Sequence, residues 1–208
     1  MIQYSEGIEF KTLFPYYIDK ILEHQEIHCI YDVGCNVGAF VQLINNKLKN
    51  SYTIYGFEPD SENYKFLLSQ NYKNLTAYNI GIFYGVEESR VTGIGDNNTG
   101  GYMVEGIEKT HLMPHINSIE VYQGKIFKLS TLERFINENL PLDLIKLDVE
   151  ASEYNIIKNS KILKEFSWII VEFHNHDINF YRSFIEDNLP QYDIITNENP
   201  FLLKKKTI

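Results

Sequence analysis

Two stretches of the 208-residue chain hold side chains whose types and spacing could do proton or metal chemistry. The denser is Ile145-Lys146-Leu147-Asp148-Val149-Glu150-Ala151-Ser152-Glu153. Its carboxylates, if they converge at a strand end, can act as a base, as ligands for a hard cation such as Mg²⁺, or as substrate anchors. Asp148, Glu150 and Glu153 are therefore candidate metal ligands, and Glu150 and Glu153 candidate substrate contacts. Glu153 read alone is equally a first-turn residue favoured by the helix dipole. The second stretch is Val171-Glu172-Phe173-His174-Asn175-His176. Histidine is the side chain best matched to proton transfer near neutral pH, although a histidine that merely caps or is exposed is the plainer alternative. In an extended chain Glu172 and His174 point to one face, so Glu172 could orient the imidazole or raise its basicity.

Two further stretches could hold a ligand. Asp32-Val33-Gly34-Cys35-Asn36-Val37-Gly38 lies between an apolar strand pattern and a helical one. Gly34 permits a sharp turn where a Cβ would clash, and Gly38 lets the helix start close to a ligand or to the sheet. Helix N-terminal amides then point at whatever binds. The glycines sit four apart, which is not the G-x-G-x-x-G spacing of dinucleotide binders. Phe57-Glu58-Pro59 ends the next strand pattern, close to the separation of about 20 residues at which an acidic side chain reaches the ribose hydroxyls of a nucleoside. Alone, Glu58 is a surface acid before a helix; with the preceding turn, the ribose reading is the better one.

The elements that must position these groups follow from periodicity. Apolar residues recur at helical steps from Phe10 to Glu23, interrupted only by Pro15. Strands are predicted over Cys29–Val33, Thr53–Phe57, Leu75–Ile80, Leu142–Leu147 and Trp168–Phe173. Helices are predicted over Phe40–Leu48, from an Asp60 cap to Leu68, over Ser152–Phe166 and over Ile178–Leu189. Ser130-Thr131-Leu132-Glu133 has the capping-box pattern and predicts a helix to about Asn137. Tyr192–Thr196 and Phe201–Lys204 form a closing hairpin. The alternation predicts an α/β fold: a mostly parallel, doubly wound sheet with helices on both faces and one antiparallel strand from the hairpin. The chain reads as a single domain over 1–208, with an N-terminal helical segment in 1–25 and an inserted variable region in 82–125. That region is glycine-rich and aperiodic, so it is expected to face substrate.

Composition narrows the partners. Acidic residues number 28 against 19 basic ones, a formal charge of −9 that repels phosphate backbones and anionic membranes. A nucleic-acid partner is disfavoured, and Lys204-Lys205-Lys206 is too short a basic run to reverse that. No run of about 18 apolar residues could span a bilayer. Cys29 and Cys35 are too few for a zinc cluster and fit a reducing compartment, and the first residues lack a signal-peptide pattern, so a cytoplasmic location is expected. Oligomeric state is open, a homodimer included.

Taken in order, DVGCNVGAF, FEP, STLERF, LIKLDVEASE and VEFH resemble the FkbM family of methyltransferases from about Ile30 to His174. Members of that family commonly show D-V-G-A-N-x-G, F-E-P, a T-L-D before a helix, K-x-D-V-E-G-x-E and a late E-x-H. The resemblance implies a seven-stranded class I methyltransferase (Rossmann-like) fold, S-adenosylmethionine as methyl donor and a hydroxyl acceptor, often on a sugar. Cys35 stands for the usual Ala, Glu133 for Asp, and Ala151-Ser152 for a Gly-Ala pair, so the turn after Asp148 lacks its glycine.

On this reading Asp32, Gly34, Asn36 and Gly38 shape the cofactor pocket under the methionine end, and Glu58 with Pro59 holds the ribose. Asn97, Asn98, Tyr102 and His115 of the inserted region are candidate sugar contacts, since glycan hydroxyls need polar partners and sugar rings pack on Tyr. His174 is favoured as the base, ionising near 6–7, with Asp148 positioning the acceptor or a metal. Three rivals stand beside it: an NAD-linked oxidoreductase, a non-catalytic nucleoside-binding domain, and a metal-dependent version of the same enzyme. The glycine spacing and closing hairpin weigh against the first, and the carboxylate–histidine cluster against the second.

Overall fold

Strand–helix alternation produces the sheet that carries the candidate residues. The computed structural model describes residues 12–93, 102–104, 125–174 and 177–207. Helix α1 (Leu13–Leu22) buries Phe14, Tyr17, Ile18 and Ile21 along one stripe. Pro15 falls in its first turn, where a missing N–H breaks no intrahelical bond. Then come β1 (Cys29–Val33), α2 (Ala39–Lys47), β2 (Thr53–Phe57), α3 (Ser61–Ser69) and β3 (Leu75–Tyr78). The inserted region contributes β4 (Gly81–Ile82), β5 (Glu88–Gly93), β6 (Tyr102–Val104) and β7 (Ile126–Ser130). After it follow β8 (Leu144–Leu147), α4 (Glu153–Asn159), β9 (Trp168–Val171), α5 (Ile178–Asn188), β10 (Tyr192–Ile194) and β11 (Phe201–Lys205).

The main sheet has seven strands in the order β10-β11-β9-β8-β1-β2-β3. β3, β2, β1, β8 and β9 are parallel, and β11 runs antiparallel between β9 and β10. Alternate residues serve opposite faces. Ile30, Ile54, Leu144 and Ile170 pack with α1 and α2 on one face. Tyr31, Phe57, Ile145 and Ile169 pack with Ile156 and Ile157 of α4 and Tyr181 and Ile185 of α5 on the other. β4-β7-β5-β6 form a separate four-stranded sheet beside this core. No helix among the described residues is long and apolar enough to cross a membrane.

Several sequence expectations differ from the structure. Ser130 ends β7, opposite Ile82, and does not cap a helix. A short 3-10 turn (Leu132–Phe135) stands where a helix to Asn137 was expected. Glu133 is drawn away by more distant partners: its carboxylate accepts from Ser160 Oγ at 3.0 Å, the Lys161 amide at 3.1 Å and the hydroxyl of Tyr84. The helix expected over Ser152–Phe166 stops at Asn159 and resumes only as a 3-10 turn (Ile162–Glu165). Ser160 breaks it, since its hydroxyl serves Glu133 and accepts the Leu163 amide at 3.1 Å, competing with the helical ladder. β9 ends at Val171, so Glu172 and His174 lie just beyond the strand.

Candidate functional site

The candidate residues meet where β1, β2, β8 and β9 end. At β1 the chain turns at Gly34, whose φ is +82°. A Cβ there would stand 1.8 Å from the Asp148 carbonyl oxygen, so only glycine admits the approach of the two loops. Gly34 and Cys35 donate their amides to the Phe57 carbonyl, both at 3.0 Å, which fastens the turn to β2. Gly38, at φ +93°, begins α2 against Leu67 and Tyr72, with no room for a Cβ. Cys35 is buried and its thiol pushed well up by that burial, so it behaves as a small packing residue.

Glu58 is only 6% exposed. One carboxylate oxygen accepts the Asn36 amide at 2.8 Å, and the other the Asp60 amide at 2.8 Å. Burial pushes its pKa up to about 7, against the pull of those hydrogen bonds. Asp60 caps α3 as expected, accepting from Glu62 and Asn63, and pairs with Lys125 at the start of β7. Asn79 donates to the carbonyls of Glu58 and Pro59 at 2.9 and 3.1 Å, holding the turn from the β3 side.

Asp32 is wholly buried, so it does not line an open pocket wall. The β1–β8 register sets it opposite Lys146, itself buried. Lys146 Nζ lies 3.2 Å from Asp32 Oδ1, 3.2 Å from Asp148 Oδ2 and 3.1 Å from the Gly34 carbonyl. Burial disfavours the ammonium, but Asp32, Asp148 and Glu172 outweigh it and hold Lys146 charged. Asp32 Oδ2 and Asn36 Oδ1 are buried acceptors without a partner. A buried acceptor left unpaired is costly, and of the two only Asn36 belongs to a partly exposed residue that a donor-bearing ligand could reach.

Asp148, Glu150, Glu153, Glu172 and His174 converge beside this turn. His174 Nδ1 is 3.2 Å from Glu153 Oε1, which also accepts the Val149 amide at 2.8 Å. His174 Nε2 faces Glu150 Oε2 at 3.7 Å, Asp148 Oδ1 at 3.9 Å and Glu172 Oε1 at 4.0 Å. The orienting partner is thus the fully buried Glu153 of α4, while Glu172 stands farther off. Burial alone would lower the imidazole pKa, but Glu153, then Glu150 and Asp148, hold it up to about 10. The ionisation near 6–7 expected of His174 does not survive this acidic setting. Burial pushes Glu150 up to about 7, with His174 pulling the other way.

In the turn that lacks a glycine, Glu150 and Ala151 both adopt positive φ, at +49° and +74°. Each costs a non-glycine residue about 1–2 kcal/mol, strain of the kind that gathers at functional sites. The candidate metal set also changes. Among the described residues, Asp148, Glu150 and His174 are the ones whose donor atoms lie within 4.8 Å of one another, and Glu153 stands behind His174 instead of among them. Sequence reasoning gave no role to Lys146, whose partner is set by strand register, or to Asn199. Asn199 pairs with both the amide and the carbonyl of Phe173, each at 2.8 Å, and so fixes the backbone next to His174. Asn97, Asn98, His115 and His176 lie outside the described residues, and Tyr102 is described only as backbone in β6.

The sequence profile of the Methyltransferase FkbM domain matches residues 32–193. No curated protein matches the chain significantly. Among solved structures, methyltransferase FkbM from Methylobacillus flagellatus KT is 16% identical with a TM-score of 0.54, over 86% of this chain and 44% of that one. A ribosomal protein L11 methylase from Lactobacillus delbrueckii subsp. bulgaricus is 8% identical with a TM-score of 0.51, over 97% and 81%. At such identities the likeness shows the fold, that of the class I methyltransferases. The chain spans less than half the length of the Methylobacillus protein.

Proposed function

The chain belongs to the FkbM methyltransferase family, and from that premise we propose that it is an S-adenosylmethionine-dependent O-methyltransferase acting on a hydroxyl of a sugar or glycan. The observation that carries this reading is the Lys146 bridge. It ties the glycine turn at β1 to the carboxylate at β8, so a ligand on the turn and an acceptor at Asp148 would be held side by side. The residues of the turn suit the cofactor: Asn36 Oδ1 is an unpaired acceptor on a partly exposed residue, and Glu58, which already accepts two amides and the Asn63 side chain, keeps capacity for a ribose hydroxyl. Bound S-adenosylmethionine supplies an electrophilic methyl group. The chain's own task is to hold the acceptor oxygen in line and to accept its proton as the oxygen–carbon bond forms.

In this reading Asp148 Oδ1, in place of the expected His174, accepts that proton. Lys146 holds the other oxygen of the carboxylate, and Oδ1 is left on the half-buried side facing His174. His174, held by Glu153, orients the acceptor with Glu150. A panel of hydroxyl-bearing glycans, assayed for release of S-adenosylhomocysteine, tests the reading. Asp148→Asn is expected to lower turnover by about 10²–10⁴-fold with S-adenosylhomocysteine affinity nearly unchanged. Failure of the wild-type chain to bind S-adenosylhomocysteine by calorimetry sinks the cofactor reading, and full activity in Asp148→Asn sinks the assignment of the proton.

A further inference from the structure

We propose that Asp148, Glu150 and His174 form a site for one divalent cation of the first transition series, Mn²⁺ or Zn²⁺, in preference to Mg²⁺. The site takes Asp148 Oδ1 and His174 Nε2, the atoms given above to the acceptor and its proton, so a bound cation and that proton transfer exclude one another at these atoms; cation binding is measured without methyl transfer, and either reading can fail alone.

The spacing of the donors is the first argument. His174 Nε2 lies 3.7 Å from Glu150 Oε2 and 3.9 Å from Asp148 Oδ1. Both gaps exceed a hydrogen bond. They match the separations of about 3–4 Å between neighbouring ligands around an ion with bonds of about 2.0–2.2 Å. All three donor atoms fall within 4.8 Å of one another.

The second argument is how the donors are held from behind. A metal-binding imidazole commonly gives its other nitrogen to a carboxylate, which fixes the ring and its tautomer. Glu153 does this at Nδ1, at 3.2 Å, and leaves Nε2 toward Asp148 and Glu150. Glu153 is 0% exposed, and its second oxygen is buried without a partner beside the histidine it holds. Lys146 secures Asp148 through Oδ2, which leaves Oδ1 on the His174 side. Each of these two donors is therefore oriented by a buried side chain, which exposed acidic clusters lack.

Charge points the same way. Asp148, Glu150, Glu153 and Glu172 crowd around one imidazole, with Lys146 the other cation in contact. A divalent ion would take the place of the Nε2 proton, released to solvent, and add one net positive charge against that excess. The imidazole sets its type, because Mg²⁺ prefers oxygen ligands, whereas Mn²⁺ and Zn²⁺ accept nitrogen with carboxylate.

Mn²⁺ titration of the chelator-treated chain, followed by the electron paramagnetic resonance of free Mn²⁺, tests the site. One ion per chain is expected, displaced by Zn²⁺ but not by a tenfold excess of Mg²⁺. His174→Ala and Glu150→Gln are expected to abolish it, Glu153→Gln to weaken it by about 10–100-fold, and the exposed-site control Glu62→Gln to leave it unchanged. Circular dichroism checks that each variant is folded, and Glu150→Gln, at a partly buried loop position, keeps the test valid if His174→Ala unfolds. Absence of stoichiometric binding, equal displacement by Mg²⁺, or binding that persists in folded Glu150→Gln overturns the proposal.

Discussion

The turn after β1 and the cluster beyond β8 and β9 are neighbours built from different materials. The turn is made of backbone: left-handed glycines, amides donated to the Phe57 carbonyl, and amides gathered by Glu58. The cluster is made of side chains brought from β8, α4 and the segment after β9, with Asn199 reaching back across 26 positions to fix Phe173. Backbone-built sites demand particular small residues at fixed spacing, and those demands appear in a sequence. Side-chain clusters demand only convergence, which register and packing supply. The two regions also differ in charge. The turn ends in unpaired acceptors waiting for donors, while the cluster holds more carboxylates than cations.

Gly34 belongs to both regions, and its substitution is the strongest way to break the contrast. Gly34→Ala places a Cβ against the Asp148 carbonyl at φ +82°. Left-handed backbone costs about 1–2 kcal/mol and overpacking about 1–3 kcal/mol, so about 2–5 kcal/mol of stability should be lost in urea unfolding. Gly85 provides the comparison, at φ +112° with nothing within 4 Å, and Gly85→Ala should cost only the backbone share. Equal losses in the two variants would mean that contact with the Asp148 loop does not shape the turn.

The same division explains what the sequence revealed. β1 and β2 were legible to the residue, because five-residue apolar runs ended by Gly34 and by Pro59 leave little freedom. Asp60 was legible as a cap because capping is a local exchange between a side chain and amides two and three residues on. Ser130 carried the same local signal and failed, since strand pairing with Ile82 and the reach of Glu133 to Ser160 outweighed it. The grouping of Asp148 with His174 was legible from adjacent strand ends. The Glu153–His174 contact was not, because it depends on how α4 packs under the turn. Nor was the charge state of His174, which follows from carboxylates contributed by two elements.

Glu58→Ala sharpens the contrast from the turn side. If Glu58 accepts the ribose hydroxyls, its loss should weaken S-adenosylhomocysteine binding by about 1.5–3 kcal/mol, roughly 10–150-fold. His174→Ala, on the cluster side, should change that affinity by less than about twofold, since the charged neighbours of His174 are the cluster's carboxylates and not the turn. Calorimetry on both variants decides. A matched loss in the two would mean that cofactor and cluster form one unit, with no separate roles for turn and cluster.

The smallest effect is the most specific, because it changes sign between the free and the bound chain. Burial raises the Glu58 pKa from 4.5 to about 7. An acid with a raised folded value keeps its proton in the folded chain after the unfolded chain has lost it. Its contribution to stability is therefore fully present below about pH 4.5 and falls as pH rises to about 7. Ribose binding runs the other way, since hydroxyls donate best to an ionised carboxylate. With a pKa of about 7, the ionised fraction rises from about a tenth at pH 6 to about nine-tenths at pH 8, so affinity for S-adenosylhomocysteine should improve by up to about tenfold. Glu58→Gln cannot ionise but keeps an acceptor oxygen, and subtracting its profiles removes the titrations of Glu150, His174 and the ligand itself. The expected difference curves are a stability that declines with pH and an affinity that climbs with it, over overlapping ranges. An affinity slope that Glu58→Gln retains in full would place the ribose contact on another group, and the turn would then be a structural joint between two strands.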